Sequence, residues 1–221
     1  MDKILILTDS TANPRSFPEF EKVNLEETYP YLIRNEYKDS IFYQLTYGNI
    51  ETEKLLGQAI GYLTHWKPDY IIIQSGLNDC RPEAFTEFQK IMILKFFKFF
   101  SLLRKNINNT KIIKKRQIYR VPKKRFKKTV KWFSNVFCDS KIIWLEIAIH
   151  EDYEKIRPGV LKRIAEYNQI IEEEFKDNFL QIKNALNEVN GFNSDNIHFN
   201  KFGHKIVSEL LLKKLATDKN S

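Results

Sequence analysis

The chain has 221 residues, 43% of them hydrophobic, and its 36 Lys and Arg residues against 28 Asp and Glu residues give a net charge of +8. This hydrophobic content excludes global disorder, and no apolar run reaches the roughly 20 residues that a membrane-spanning helix needs. Two cysteines and four histidines are too few for a disulfide framework or a metal cluster. We therefore expect a single domain over residues 1–221 without a metal site.

Apolar patterning predicts strands and helices that alternate along the chain. Continuous apolar or β-branched runs predict strands, and apolar residues spaced three and four apart predict helices. In chain order the predictions are a strand at 3–8, a strand at 40–47, a helix at 50–66, a strand at 69–75, a helix at 84–105, a helix at 123–137 with Phe126, Val130, Phe133 and Val136 inward, a strand at 141–149, a helix from Pro158 to about Phe175, a strand near 178–182 and a helix from about Lys201 to Leu215.

The strand composition predicts the fold class. The first, third and fourth strands are apolar runs without alternation, which is typical of a parallel sheet covered by helices on both faces. Parallel strands joined through helices take right-handed crossovers. We therefore predict an α/β fold, a three-layer α/β/α doubly wound (flavodoxin-like) domain with a parallel five-stranded sheet and a basic helical insertion.

The positive charge comes from one stretch, residues 88–138, which we call the basic segment. It contains no Asp or Glu and 16 Lys and Arg residues, so the other 20 basic residues are outnumbered by the 28 acids elsewhere. Such asymmetry indicates an anionic partner. Three interpretations stay open: a solvated insertion partly paired with the acidic body, a docking surface for an anionic glycan or membrane surface helped by aromatics at 96–100 and Trp132, and a nucleic-acid site, which no recognised module supports.

Polar residues follow the predicted strands at one edge of the sheet. In a doubly wound sheet, sites form beyond the carboxyl ends of the strands. Ser10 follows the first strand, Gly48 the second, Asn78 the third, and Asp195 and His198 the last. Each residue alone has an ordinary explanation, since Ser10 suits a helix cap and Asn78 a turn. Their convergence from four segments favours a catalytic site.

Together these residues are the parts of a serine acyl-transfer site. Ser10 would be the nucleophile, which needs a base to take its proton, and His198 is the candidate. Asp195, three residues earlier, would orient the imidazole. The backbone N–H groups of Ser10 and Gly48 and the side-chain amide of Asn78 would form the oxyanion hole. This chemistry requires no metal and no cofactor.

The arrangement resembles the SGNH hydrolases, the GDSL-like esterase and lipase superfamily. The four family blocks correspond to LTDSTA, TYGNIET, SGLND and DNIHFNKFGH, which contain Ser10, Gly48, Asn78 and His198, and Asp195 matches the acid of the family's D-x-x-H. The resemblance extends from the first strand to the last helix. One departure is Thr8, which stands where the family usually has glycine before Asp-Ser.

A softer resemblance points to the substrate. GLNDCRP and EDYEKIRPGVLKRIAEYNQII look like a subgroup associated with bacterial surface-polysaccharide synthesis, which implies a small O-acyl ester on a carbohydrate or glycan precursor. Asp9, Asp79 and Arg81 are further candidates for substrate binding, Arg81 for an anionic group. The N-terminus with Asp2 does not fit a signal peptide. We therefore expect a cytoplasmic protein, with peripheral association with the inner membrane surface left open.

Two other functions stay open. An O-acyltransferase would pass the acyl group from Ser10 to a sugar hydroxyl instead of water. A non-catalytic protein on this fold would bind an anionic glycan or lipid through the basic segment, and Thr8 keeps this alternative open. Its ligand binding would depend on salt and survive Ser10→Ala.

Overall fold

The computed structural model describes residues 1–96 and 106–219. Five strands lie within these ranges: β1 (Lys3–Thr8), β2 (Ile41–Thr46), β3 (Tyr70–Gln74), β4 (Lys141–Leu145) and β5 (Phe179–Leu180). The helices are α1 (Tyr29–Glu36), α2 (Thr52–Leu63), α3 (Leu77–Cys80), α4 (Glu87–Phe96), α5 (Thr110–Arg116), α6 (Lys123–Val136), α7 (Tyr153–Ile156), α8 (Val160–Phe175), α9 (Lys183–Glu188) and α10 (Lys201–Lys219).

The five strands form one parallel sheet in the order β2-β1-β3-β4-β5. This is the flavodoxin-like order, so the predicted fold class is confirmed. β1 lies between the strands that follow it in the chain, and its last residue, Thr8, pairs with Thr46 on one side and Gln74 on the other. The carboxyl ends of β1, β2 and β3 therefore meet at one edge, where such folds bind ligands.

Helices cover both faces of the sheet. Leu5 and Leu7 of β1 point to the face packed by α2, α6 and α8. Ile4 and Ile6 point to the opposite face, which is packed by α1 and α10. All four side chains are at most 1% exposed, which explains why the strand reads as a continuous apolar run.

Several boundaries differ from the sequence prediction. The strand predicted at 141–149 ends at Leu145. The N–H of Glu146 makes the last bond to β5, at the carbonyl of Leu180, and the N–H of Ile147 donates instead to the side chain of Asn168. Val136 was predicted inward but is 36% exposed, since α6 ends there and Phe137 takes the buried position. Helices α1, α3, α5, α7 and α9 were not predicted.

The basic segment is partly an integral layer of the fold. Helix α6 lies within it, connects β3 to β4 and buries Phe126, Val130 and Phe133 against the sheet. The helix predicted at 84–105 is present as α4, while residues 97–105 and the aromatic side chains proposed at 96–100 lie outside the described residues. Among the helices of the described ranges, none has the length and apolar character needed to cross a membrane.

Two glycines fix the last loop against α10. A Cβ on Gly203 would lie 2.1 Å from the carbonyl oxygen of Gly191, and a Cβ on Gly191 would lie 2.8 Å from Cα of Gly203. Both residues are buried. The backbones therefore approach too closely for any side chain, and this contact sets the start of α10 relative to the loop 192–198.

We predict that Gly203→Ala lowers the free energy of unfolding by about 1–3 kcal/mol, because α10 must move away from Gly191. Gly61→Ala is the matched control: Gly61 lies inside α2, and no atom lies within 4 Å of its Cβ position. There alanine should stabilise by about 0.5–1 kcal/mol. Urea unfolding of both variants measures the difference, and equal effects would contradict the close-contact interpretation.

Candidate active site

The chain turns sharply where β1 ends, and Asp9 builds the turn. Its carboxylate accepts hydrogen bonds from the backbone N–H of Thr11 at 3.0 Å and from the Thr11 hydroxyl at 2.6 Å. The following 3₁₀ turn, Ser10–Ala12, begins with Ser10 half-buried at the edge of the sheet. Burial raises the pKa of the Asp9 carboxyl. Both hydrogen bonds are accepted by Oδ1, so Asp9 has a local structural role, and its role in binding substrate stays a prediction.

Thr8, the departure from the family pattern, is accommodated inside the sheet. Its side chain is fully buried, and its hydroxyl lies 2.9 Å from the hydroxyl of Thr46 on β2. Thr8 and Thr46 are the last paired residues of β1 and β2. The threonine therefore joins two strands directly before the Asp9–Ser10 turn.

Ser10, His198 and Asp195 form a continuous hydrogen-bonded chain. His198 Nε2 lies 3.1 Å from Ser10 Oγ, and His198 Nδ1 lies 2.7 Å from Asp195 Oδ2. The three residues come from opposite ends of the chain, 188 positions apart for Ser10 and His198. This is the geometry in which an imidazole removes a hydroxyl proton while a carboxylate stabilises the resulting imidazolium.

Asp195 accepts hydrogen bonds from other groups besides the His198 ring. Its Oδ1 accepts the backbone N–H groups of Ile197 and His198, each at 3.0 Å. Its Oδ2 also accepts Arg15 Nη1 at 2.5 Å. Partial burial favours a higher pKa for this carboxyl, but the hydrogen bonds, led by that from His198, outweigh it and lower the pKa well below its usual value.

Arg15 was missed by sequence reasoning. It stands five residues after Ser10 in a loop, and no motif marks it. Its backbone pairs with Val23 through two hydrogen bonds of 2.8 Å, and its Nε donates to the carbonyl of Phe17. These contacts fix the side chain that reaches Asp195, a contact across 180 positions that only the folded chain reveals.

Asn78 and Gly48 lie at the same edge of the sheet. Asn78 is on α3, which follows β3, and it is 7% exposed. Within the described part of the chain, its side-chain amide has no hydrogen-bond partner, so its donors remain available. Gly48 follows β2 by two residues, is exposed and has no atom within 4 Å of a Cβ position. The structure thus leaves open space at Gly48 and free donors at Asn78.

Asp79 and Arg81, two predicted substrate-binding residues, are engaged within the protein. Asp79 is 0% exposed and accepts the backbone N–H of Thr52 at 3.0 and 3.1 Å and the Thr52 hydroxyl at 2.8 Å. It therefore fixes the start of α2. Arg81 forms a salt bridge with Glu83 at 3.0 Å. A role of either residue in binding substrate stays a prediction.

The second histidine of the DNIHFNKFGH motif has a different environment from the first. His204 is 0% exposed, and its Nδ1 accepts the backbone N–H of Tyr29 at 3.3 Å. Burial, and to a lesser extent the nearby His198, lowers the pKa of His204 to about 4. It is therefore neutral at physiological pH and connects α10 to α1.

The sequence matches the GDSL-like lipase/acylhydrolase family over residues 20–211. The chain therefore belongs to this family of carboxylic ester hydrolases. The matched range includes Asn78, Asp195 and His198, and it begins after Ser10. Among curated proteins, no sequence matches the chain.

Solved structures of esterases have the same fold. A lipase/acylhydrolase from Enterococcus faecalis superimposes with a TM-score of 0.65 at 16% identity, over 97% of this chain and 95% of that one. Esterase EstA from Pseudoalteromonas sp. gives 0.60 at 15% identity, with both chains fully covered. The acetylxylan esterase Axe2 from Geobacillus stearothermophilus, solved as a catalytic serine-to-alanine mutant, gives 0.62 at 15% identity, over 96% and 93% of the chains. The fold is that of SGNH hydrolases.

We predict that Arg15→Gln moves the acidic limb of the pH profile of kcat/KM to higher pH by up to about one unit, since a positive charge beside Asp195 is lost. Arg15→Lys should restore part of the shift because it keeps the charge. Exposed Arg34 provides the control Arg34→Gln. A limb that stays in place while only kcat falls would show that Arg15 supports the loop without acting on the charge balance of the triad.

Asp79 should make stability depend on pH. Burial raises the pKa of its carboxyl from 3.8 to about 7, against the hydrogen bonds from Thr52. The folded protein then retains a proton that the unfolded chain loses near pH 4, so the contribution to stability falls as pH rises from about 4 to 7, by at most about 1.4 kcal/mol per unit.

Urea unfolding of wild type and Asp79→Asn at pH 5, 6, 7 and 8 checks this expectation. The unfolding free energy of Asp79→Asn minus that of wild type should rise with pH up to about 7 and then level off, because asparagine does not titrate. Asp39→Asn, at an exposed position, is the matched control. A difference that is independent of pH would contradict the raised pKa of Asp79.

Proposed function

We propose that this protein hydrolyses a small O-acyl ester on a carbohydrate or glycan precursor through an acyl-enzyme on Ser10. The observation that carries the proposal is the hydrogen-bonded chain from Ser10 Oγ through His198 to Asp195. Membership of the GDSL-like lipase/acylhydrolase family supports the reaction class. A sugar as the acyl carrier is supported by the structural similarity to acetylxylan esterase Axe2 and by the motifs GLNDCRP and EDYEKIRPGVLKRIAEYNQII.

The first half-reaction acylates the serine. Ser10 Oγ attacks the ester carbonyl carbon while His198 Nε2 takes its proton, and Asp195 stabilises the imidazolium. The tetrahedral intermediate then collapses, and the imidazolium gives the proton to the departing sugar oxygen. The products are the free sugar hydroxyl and an ester between the acyl group and Ser10.

The second half-reaction releases the acid. A water molecule attacks the acyl-enzyme as His198 takes its proton, and the proton returns to Ser10 Oγ when the intermediate collapses. The negative oxygen in both intermediates would be held by the backbone N–H groups of Ser10 and Gly48 and by the side-chain amide of Asn78. Loss of one such donor costs about 100- to 1000-fold in kcat. A cytoplasmic location would suit a role in glycan synthesis.

Labelling with a fluorophosphonate, followed by mass spectrometry of the modified peptide, tests the nucleophile. We expect one adduct, on Ser10, that is absent from Ser10→Ala and forms at least about 100-fold more slowly in His198→Ala, because the base is lost. His65→Ala, at an exposed histidine, is the matched control and should react like wild type. No adduct on folded wild-type protein would overturn the proposal.

Acetate release from acetylated xylooligosaccharides in water tests the reaction. Hydrolysis that depends on Ser10 supports an esterase acting on sugar esters. Activity that requires an acyl donor and a sugar acceptor together, without acetate release, would replace the proposed hydrolase by an O-acyltransferase with the same site.

A further inference from the structure

A groove of about 530 Å³ lies between α2 and α6, away from the triad. Its walls are Glu53 of α2 and Arg125, Lys128, Thr129 and Trp132 of α6. Trp132 is 42% exposed although it is a large aromatic residue. The volume falls within the range of small-molecule sites, about 300–1,000 Å³.

Helix α6 presents uncompensated positive charge beside the groove. Lys124, Lys128 and Lys131 are exposed and spaced four and three residues apart, so they share one side of the helix. Across the described ranges, no carboxylate lies within 4.0 Å of their amines. By contrast, Lys127 on another side of α6 is paired with Glu173 at 2.9 Å.

The groove is connected to the edge of the sheet that carries the candidate active site. Arg120, at the entry to α6, donates to the side chain of Asn49 at 2.8 Å and contacts Glu51 at 3.6 Å. Arg125 Nε bonds Glu53 at 2.5 Å. These contacts attach the basic segment to residues 49–53, which directly follow Gly48. The end of the groove at Glu53 and Arg125 is therefore close in sequence to Gly48.

The lining favours a sugar over a simple polyanion. The Trp132 ring offers an apolar face, and Lys128 offers a cation for a carboxylate. Glu53 is paired with Arg125, and its second carboxylate oxygen can accept from a hydroxyl group. A groove of this size takes one or two sugar residues, whereas a nucleic acid or a lipid surface needs a longer row of cations. A pyranose ring that carries a carboxylate matches this lining: its ring can stack on Trp132, its carboxylate can bind Lys128, and its hydroxyl groups can donate to Glu53.

We propose that this groove binds an acidic sugar residue of the substrate, with its carboxylate on Lys128 and its ring on Trp132. That the sugar belongs to a substrate rests on the proposed function, whereas the binding itself does not. The substrate class is then an O-acylated acidic oligosaccharide, whose charged residue is held on α6 while its ester reaches Ser10.

Calorimetric titration of wild type with tetragalacturonate, which carries no ester, measures the binding directly. We expect tighter binding of tetragalacturonate than of neutral xylotetraose, weakened by added salt. Lys128→Gln should raise Kd about tenfold or more, since a charge-assisted hydrogen bond is lost. Trp132→Ala should also weaken binding. Lys127→Gln is the matched control and should bind like wild type. Circular dichroism of Lys127→Gln and Lys128→Gln is compared to show that both variants fold alike.

Equal binding of the acidic and neutral sugars, or an unchanged Kd in Lys128→Gln, would overturn the inference. Tighter binding of phosphatidylglycerol vesicles or single-stranded DNA than of tetragalacturonate would also overturn it. Hydrolysis of p-nitrophenyl acetate by wild type is measured separately. No hydrolysis together with charge-dependent sugar binding overturns only the proposed function, and hydrolysis without such binding overturns only the groove.

Discussion

The hydrogen bond between His198 Nε2 and Ser10 Oγ is the contact on which the site depends, and the whole sheet is needed to form it. Ser10 follows the central strand β1, while His198 belongs to a loop that comes after β5. The close contact between Gly191 and Gly203 fixes that loop against α10. The two catalytic candidates therefore meet only when α10 and the loop before it have packed onto the sheet.

Three carboxylates near this edge differ in ionisation because their surroundings differ. Asp195 receives two backbone N–H groups and two side-chain donors, one of them charged, and its pKa is lowered. Asp9 and Asp79 are more deeply buried and receive donors only from neutral groups, so burial raises the pKa of each. The hydrogen bonds from His198, followed by that from Arg15, thus distinguish Asp195 from the two acids that hold the backbone.

The uneven charge of the sequence is only partly neutralised by folding. Ion pairs attach α6 to the acidic body through Lys123 with Glu166 and Lys127 with Glu173. This agrees with the interpretation of a segment partly paired with the rest of the protein. Lys128 remains outside these pairs, and pairing alone does not account for an exposed cation beside Trp132 in a concave groove.

The sequence by itself determined the fold class and the identities of the triad candidates, because unbroken apolar strands require cover on both faces and the polar residues stand directly at the strand ends. It did not determine the functions of residues whose partners are remote. Nothing in the sequence shows that Asp79 holds the start of α2 through Thr52, or that Arg15 bonds Asp195. Only the tertiary structure decided these roles, since hydrogen bonding and burial depend on which distant segments pack together.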